Sequence, residues 1–114
     1  MDDVFDSVVR SAGDFAGVFE FDGEVSYFYL YKMEGASGHK VIDSIYIFSG
    51  EPDFTEADIS IRWSFKEQTV GLFIRKLLWA VFDIQQRSKY GGNYKLGASP
   101  TLPSEVVDEF TPTR

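Results

Sequence analysis

The chain has 114 residues, the size of a single domain, and carries 18 acidic against 11 basic side chains for a net charge of −7. With no cysteine and one histidine, it lacks the side chains for disulfides, thiolate nucleophiles and zinc sites of Cys and His. The acidic balance makes nucleic acid a poor partner, because phosphate binding depends on Lys and Arg, and it favours a basic protein partner or plain solubility.

The N-terminal segment, residues 2–12, has the apolar spacing of a short helix. Its apolar residues recur on one face at helical intervals: Val4, Phe5, Val8, Val9 and Ala12. Gly13 follows, where a helix C-cap favours glycine. A short N-terminal helix is therefore predicted, with a frayed tail or a dimer contact as the alternatives.

Six strands are predicted from short apolar-rich runs, of which the fourth has one clean apolar face: about 15–21, 24–33, 40–49, 58–65, 69–75 and 78–86. Asp22-Gly23 joins the first two strands and favours a type I′ hairpin turn. The second and third strands are apolar on both faces, so both faces must be covered. Sequential strands with short loops predict an antiparallel meander that curls on itself or is covered by a helix.

The C-terminal quarter is more polar than the rest of the chain. Residues 97–103 are predicted to be linker-like, 104–110 to form a short helix, and 111–114 to be disordered. The fold class that follows is α+β, mainly β. It consists of one domain over residues 1–114, with a curled antiparallel meander of about six strands and short terminal helices.

No apolar run approaches the roughly 18 residues that a membrane-spanning helix needs. The residues Met1-Asp2-Asp3 lack the basic and apolar regions of a signal peptide. We therefore expect a cytoplasmic protein without a membrane partner.

The acidic loop at 50–58 is a candidate partner-binding site. Glu51, Asp53 and Glu56 surround the aromatic residue Phe54. Loops on a rigid sheet often carry binding residues, and an aromatic ringed by charge is typical of an interface anchor. The alternative is a solvated acidic loop. Calcium binding is not predicted, because the segment lacks the alternate-position ligands and central glycine of a calcium loop.

Three alternating tyrosines, Tyr27, Tyr29 and Tyr31, share one face of the second predicted strand. On an open face they would form a rigid contact surface, because tyrosine is enriched at protein interfaces. Alternatively, they line the underside of a covering helix.

Two aspartates, Asp43 and Asp83, lie within strands among apolar neighbours. Aspartate is depleted in strands, and a buried charge must be paired, so Arg62 and Arg75 are the predicted partners. The alternative is a catalytic pair of acids, as in glycoside hydrolysis.

The mouth of a curled sheet is a candidate ligand cup. Trp63 and Trp79, together with the tyrosines, would line it, and Asp43 or Asp83 would supply the polar group. The lone His39 lies in a glycine-rich loop without a nucleophile at a suitable spacing. No catalytic residue, metal ligand or cofactor is predicted.

Four segments carry a resemblance to a known family: Gly17-Val18-Phe19-Glu20-Phe21-Asp22-Gly23-Glu24, Tyr27-Phe28-Tyr29, Ile61-Arg62-Trp63-Ser64 and Ala80-Val81-Phe82-Asp83. Over roughly residues 17–84 the chain resembles a family of small bacterial proteins classed as a domain of unknown function. The family pattern has an Asn-Gly turn where this chain has Arg75-Lys76. The resemblance implies kinship and no particular activity. At the level of fold, the chain is also similar to the immunity proteins that neutralise bacterial toxins.

Three functions are therefore weighed. The favoured one is a non-catalytic, acidic protein-binding domain, immunity-like or regulatory, that presents the 50–58 loop to a basic partner. The first alternative is a small-molecule binder or minor hydrolase that uses the mouth of the curled sheet. The second is a homodimeric structural domain that pairs through its sheet edges or its tyrosine face.

Overall fold

The computed structural model describes residues 4–34, 38–95 and 97–110 of the chain. Its strands form two four-stranded antiparallel sheets, each a meander in chain order. Sheet A consists of β1 (Val4–Val9), β2 (Phe15–Phe21), β3 (Val25–Met33) and β4 (His39–Ser49). Sheet B consists of β5 (Ile59–Trp63), β6 (Thr69–Ile74), β7 (Leu77–Asp83) and β8 (Ser88–Gly91). A 3-10 turn (Glu56–Asp58) precedes β5, and the helix α1 (Ser104–Asp108) follows the second sheet.

The six predicted strands correspond to β2 to β7, and their bounds differ by at most three residues. The prediction of one curled six-stranded sheet is wrong, although the mainly-β class is confirmed. The break at 50–58 divides the strands into two sheets, and β8 is an additional short strand paired with β7. The second sheet covers one face of the two-sided strands β3 and β4, and their other face stays open to solvent, so the prediction that both faces are covered is wrong.

The predicted N-terminal helix is wrong, because residues 4–9 form β1. This strand pairs with β2 along its whole length, from Val4 opposite Phe21 to Val9 opposite Ala16. Its valines are β-branched and favour a strand once a neighbouring strand is present. The apolar spacing that suggested a helix is also compatible with a strand whose two faces are both partly apolar.

The core lies between the two sheets and is rich in phenylalanine. Its largest fully buried side chains include Phe19, Phe28 and Phe82, and the rings of Phe28 and Phe82 meet across the sheets at 5.2 Å. Gly17 allows the sheets to approach closely, since a Cβ there would lie 2.6 Å from Cγ2 of Val70. The two sheets are therefore packed face to face around one aromatic core.

The outer face of sheet B is covered by the C-terminal segment. Phe73, Leu78 and Val81 form a second apolar cluster with Val106 of α1 and with the partly buried Phe110. The predicted short helix at 104–110 is confirmed as α1, and the prediction for 111–114 lies outside the described residues. In the part of the chain that the structure describes, no helix has the length and apolarity to cross a membrane.

The β6–β7 turn consists of Arg75 and Lys76, both with positive φ angles of 51° and 70°. These are the angles of a type I′ turn, which joins antiparallel strands well but favours Asn and Gly. Ile74 consequently pairs with Leu77, and the register of β6 and β7 shifts once, between Leu72 and Phe73. The turn is therefore built with two side chains in a backbone region that L-residues enter at a cost.

Candidate functional site

The three tyrosines of β3 lie on the outer face of sheet A, opposite the core. Tyr27 and Tyr29 have ring centroids 5.7 Å apart, and Tyr29 and Tyr31 have centroids 6.0 Å apart. Tyr46 of β4 meets Tyr27 at 5.9 Å, and His39 stacks flat on Tyr31 at 4.5 Å. These five rings form a continuous row that runs along β3 and has a β4 ring at each end. We call this row the tyrosine ladder.

The tyrosine ladder lies on a surface that solvent reaches. Its three β3 tyrosines are half-buried, and Tyr46 is 39% exposed. Phe5 and Val9 of β1, and Val41 of β4, occupy the same face by register and are exposed. The interpretation in which a helix covers the tyrosines is wrong for α1, because α1 packs on sheet B. An exposed apolar surface of this kind is typical of an interaction site.

The electrostatic environment of the ladder is anionic. Glu20 of β2 lies directly opposite Tyr27 in the sheet. Partial burial, followed by the Glu20 charge, raises the pKa of Tyr29 and of Tyr31 above the ordinary tyrosine value. Their hydroxyls therefore stay protonated at neutral pH and can donate hydrogen bonds. The ladder combines ring faces with a carboxylate, an arrangement that attracts cations.

The 50–58 loop is held to the core by Phe54. This side chain is 1% exposed and packs edge-on against Phe19 at 6.2 Å and Tyr94 at 5.2 Å. The prediction that Phe54 anchors a partner is therefore wrong. Its ring is buried because an aromatic side chain removes a large apolar area from water when it packs.

Asp53 in the same loop faces the protein instead of a partner. Its carboxylate accepts a hydrogen bond from the Tyr94 hydroxyl at 2.8 Å and pairs with Arg75 at 3.5 Å. The Arg75 guanidinium also donates to the Asp53 carbonyl and lies 3.7 Å from Asp58. Partial burial and this Asp53 contact raise the pKa of Tyr94. The carboxylates of Asp53 and Asp58 therefore hold the loop in place through Arg75 and Tyr94. Glu51 and Glu56 are exposed.

Asp43 is paired, but not with the predicted arginine. Its carboxylate accepts hydrogen bonds from the Lys89 ammonium at 2.9 Å and from the Ser44 amide at 2.8 Å. Partial burial by itself raises the pKa of Asp43, but these two contacts outweigh it and hold the pKa below its ordinary value. Asp43 is therefore ionised at neutral pH, which does not suit a general acid.

Asp83 is satisfied by the backbone of the turn that follows it. Its Oδ1 accepts from the amides of Gln85 at 3.0 Å and Gln86 at 2.9 Å. The predicted partners bind elsewhere: Arg62 lies over the Phe73 ring at 4.3 Å, and Arg75 pairs with the 50–58 loop. The arginine pairing predicted for the two aspartates is therefore wrong.

The structure brings Asp43 and Asp83 to one cleft of about 380 Å³ at an end of the two sheets. The tryptophans of the predicted ligand cup lie elsewhere. Trp63 donates its indole N–H to the Val8 carbonyl at 3.0 Å, and Trp79 is 4% exposed in the core. The predicted cup of tryptophans and aspartates is thus wrong as a single site. In the described ranges, no group of three or more His, Cys, Asp or Glu could hold a metal ion.

The sequence reasoning missed the two ends of the ladder, Tyr46 and His39. Their positions depend on register shifts between β3 and β4, at Ser26/Tyr27 and at Leu30/Tyr31. A bulge moves a side chain relative to the opposite strand, and alternation within one strand carries no sign of it. The excess of aromatic residues on both strands is the signal that could have suggested the pairing.

A family described as an uncharacterized protein conserved in bacteria (DUF2251) matches residues 2–101. The chain belongs to this family. The match confirms the resemblance and extends it from roughly 17–84 to residues 2–101. Neither the curated proteins nor the solved structures gave a match. Family membership therefore supports a shared fold and leaves the function to be argued from the surface.

Proposed function

We propose that this domain is a non-catalytic protein-binding domain, immunity-like or regulatory, that contacts a basic partner protein through the tyrosine ladder. The observation that carries the proposal is the continuous row of exposed rings on sheet A beside a carboxylate. The two carboxylates considered for catalysis, Asp43 and Asp83, are instead engaged by Lys89 and by turn amides.

The ladder has the physical properties of a binding surface. A tyrosine ring supplies a large contact area with two side-chain torsions, so little conformational entropy is lost on binding. In the ladder the rings already support one another, which further limits their freedom. The hydroxyls keep the face compatible with water until a partner arrives.

The charge of the chain favours a basic partner. A net charge of −7 attracts a cationic surface at long range and raises the association rate. At short range, Lys or Arg side chains of the partner would lie over the rings and near Glu20. Such an interface would weaken as salt rises, because the long-range attraction is screened.

The experiment starts with capture of partners from the native bacterium on the immobilised chain at low and high salt, read by mass spectrometry. The captured protein is then purified and its affinity measured for wild type, Tyr29→Ser, Glu20→Lys and Phe65→Ser. Phe65 is the matched control, an exposed aromatic in the β5–β6 turn that is 89% exposed. Thermal unfolding confirms that each variant is folded.

We expect Tyr29→Ser and Glu20→Lys each to weaken binding at least about tenfold, which is about 1.4 kcal/mol, while Phe65→Ser binds like wild type. A partner that binds all four proteins equally would refute the role of the ladder. A dimer of the chain itself that is lost in Tyr29→Ser would replace the basic partner with a second copy.

A further inference from the structure

Cationic side chains converge at one end of this acidic molecule. Lys32 on β3 and Lys40 on β4 lie directly opposite each other in the sheet. Like charges in such a pair destabilise a sheet. The side-chain ammonium of neither lysine forms an ion pair or hydrogen bond with any residue that the structure describes. The repulsion is therefore not compensated within this part of the chain.

Lys32 also lines the cleft of about 380 Å³, together with Arg87 from the β7–β8 turn. The Arg87 guanidinium, like the Lys32 ammonium, has no ion-pair or hydrogen-bond partner within residues 4–34, 38–95 and 97–110. The apolar part of the lining consists of Phe15, Leu30, Ile42, Phe82 and Ile84. The cleft thus joins two uncompensated cations to an apolar wall.

The two carboxylates at the cleft are largely engaged. Asp43 is neutralised by Lys89 at 2.9 Å, and one oxygen of Asp83 accepts two backbone amides. They leave Lys32 and Arg87 free to hold one anionic group, and they disfavour a second negative charge in the ligand.

We propose that this cleft binds a small amphipathic anion, a single carboxylate on an apolar body. Lys32 and Arg87 would bind the carboxylate, and the apolar wall would cover the body. The volume lies at the lower end of the roughly 300–1,000 Å³ of small-molecule sites. The bound carboxylate would also relieve the repulsion between Lys32 and Lys40. This site is separate from the tyrosine ladder, so either proposal can fail without the other.

The probe is octanoate, titrated into isotope-labelled chain and followed by NMR chemical shifts. Octanol tests the tail without the charge, and acetate tests the charge without the tail. We expect octanoate to saturate and to shift the amides of Leu30 and Ile84, with octanol and acetate at least about tenfold weaker. Equal binding of octanol, or no saturable shift with octanoate, would overturn the proposal.

Charge variants of exposed residues test the two cations. Lys32→Gln combined with Arg87→Gln should weaken octanoate binding about tenfold. Lys40→Glu should weaken it several-fold, because the new carboxylate pairs with Lys32 and competes for it, while the fold gains a favourable cross-strand pair. Lys76→Gln is the control, because Lys76 is an exposed lysine in the β6–β7 turn, at the opposite end of sheet B from Arg87. If Lys76→Gln weakens binding as much as the cleft variants, the effect is one of net charge, and the site is refuted.

Discussion

Substituting Gly17 by alanine tests whether two sheets pack face to face. A Cβ at this position would lie 2.6 Å from Cγ2 of Val70, 3.1 Å from Cγ2 of Ile61 and 3.3 Å from Cε1 of Phe28. The first two neighbours belong to sheet B, and Val70 is fully buried. A methyl group can therefore be accommodated only if the two sheets move apart or Val70 leaves its preferred rotamer.

The expected cost of Gly17→Ala is about 2–3 kcal/mol of unfolding free energy, the upper part of the range for overpacked cores. The valine that must give way is β-branched, so its side chain has few alternative rotamers. Val70→Ala should itself cost about 2–3 kcal/mol, because it removes two buried carbons and leaves a cavity. Gly17→Ala should lower the melting temperature by roughly 8–12 °C in a domain of this size.

Combining the two substitutions should recover part of the loss, because the new methyl group enters the space vacated by Val70. In urea unfolding, the double variant should be at least about 1.5 kcal/mol more stable than additivity predicts. Gly13→Ala is the control, since Gly13 has a φ of 79° and no atom within 4 Å of the added Cβ. Gly13→Ala should destabilise the chain only through its backbone conformation. Its loss of unfolding free energy should therefore be additive with that of Val70→Ala. Additivity between Gly17→Ala and Val70→Ala would refute the packing of the two sheets at this point.

Three further predictions concern pH, a turn and the covered face. Because the pKa of Asp43 is held below its ordinary value of 3.8, the stabilisation that it provides is present above that pH and is lost as pH falls through the lower pKa. Asp43→Asn should therefore cost less than about 1 kcal/mol at pH 7 in urea unfolding, and this cost should diminish as pH falls below 3.8 through the lowered pKa. Lys76→Gly should stabilise the chain by up to about 1 kcal/mol, because φ is 70° there, whereas Lys66→Gly should not. Val106→Asp should uncover the outer face of sheet B, seen as binding of a hydrophobic dye and a loss of at least about 2 kcal/mol. An unchanged dye signal with wild-type stability would contradict that role.

The strands were predictable where alternation and turn residues agree. The tyrosines of β3 alternate strictly, and Asp22-Gly23 separates β3 from β2, so the type of both strands and their bounds to within one residue were predicted. β1 was not, because its apolar residues suit either a helix or a strand, and its pairing with β2 decides between them. The number of sheets was also not predictable. An apolar strand face predicts burial, but the sequence pattern does not specify which element packs against that face.

The site was predictable only where it depends on local spacing. Tyr27, Tyr29 and Tyr31 share a face because they alternate on one strand, and the structure places them so. The pairing of Asp43 with Lys89 joins residues 46 positions apart, which no local pattern specifies. Phe54 illustrates the same limit, because composition does not show whether an aromatic in a loop turns toward solvent or toward the core.

Along β3, the choice between phenylalanine and tyrosine separates the two faces of sheet A. Along β3, Phe28 points into the core with no exposed surface, while Tyr27 and Tyr29 on either side point outward. Sheet B also has an apolar outer face, and there the ring of Phe73 meets that of Phe110 at 5.6 Å, with the partly buried Tyr90 packed against the same cluster. A face covered permanently by its own chain needs no hydroxyl, whereas a face that is alternately wet and bound benefits from one. The tyrosines on sheet A therefore favour a surface that binds a partner transiently. They are less suited to an apolar face that a further segment of the core covers permanently.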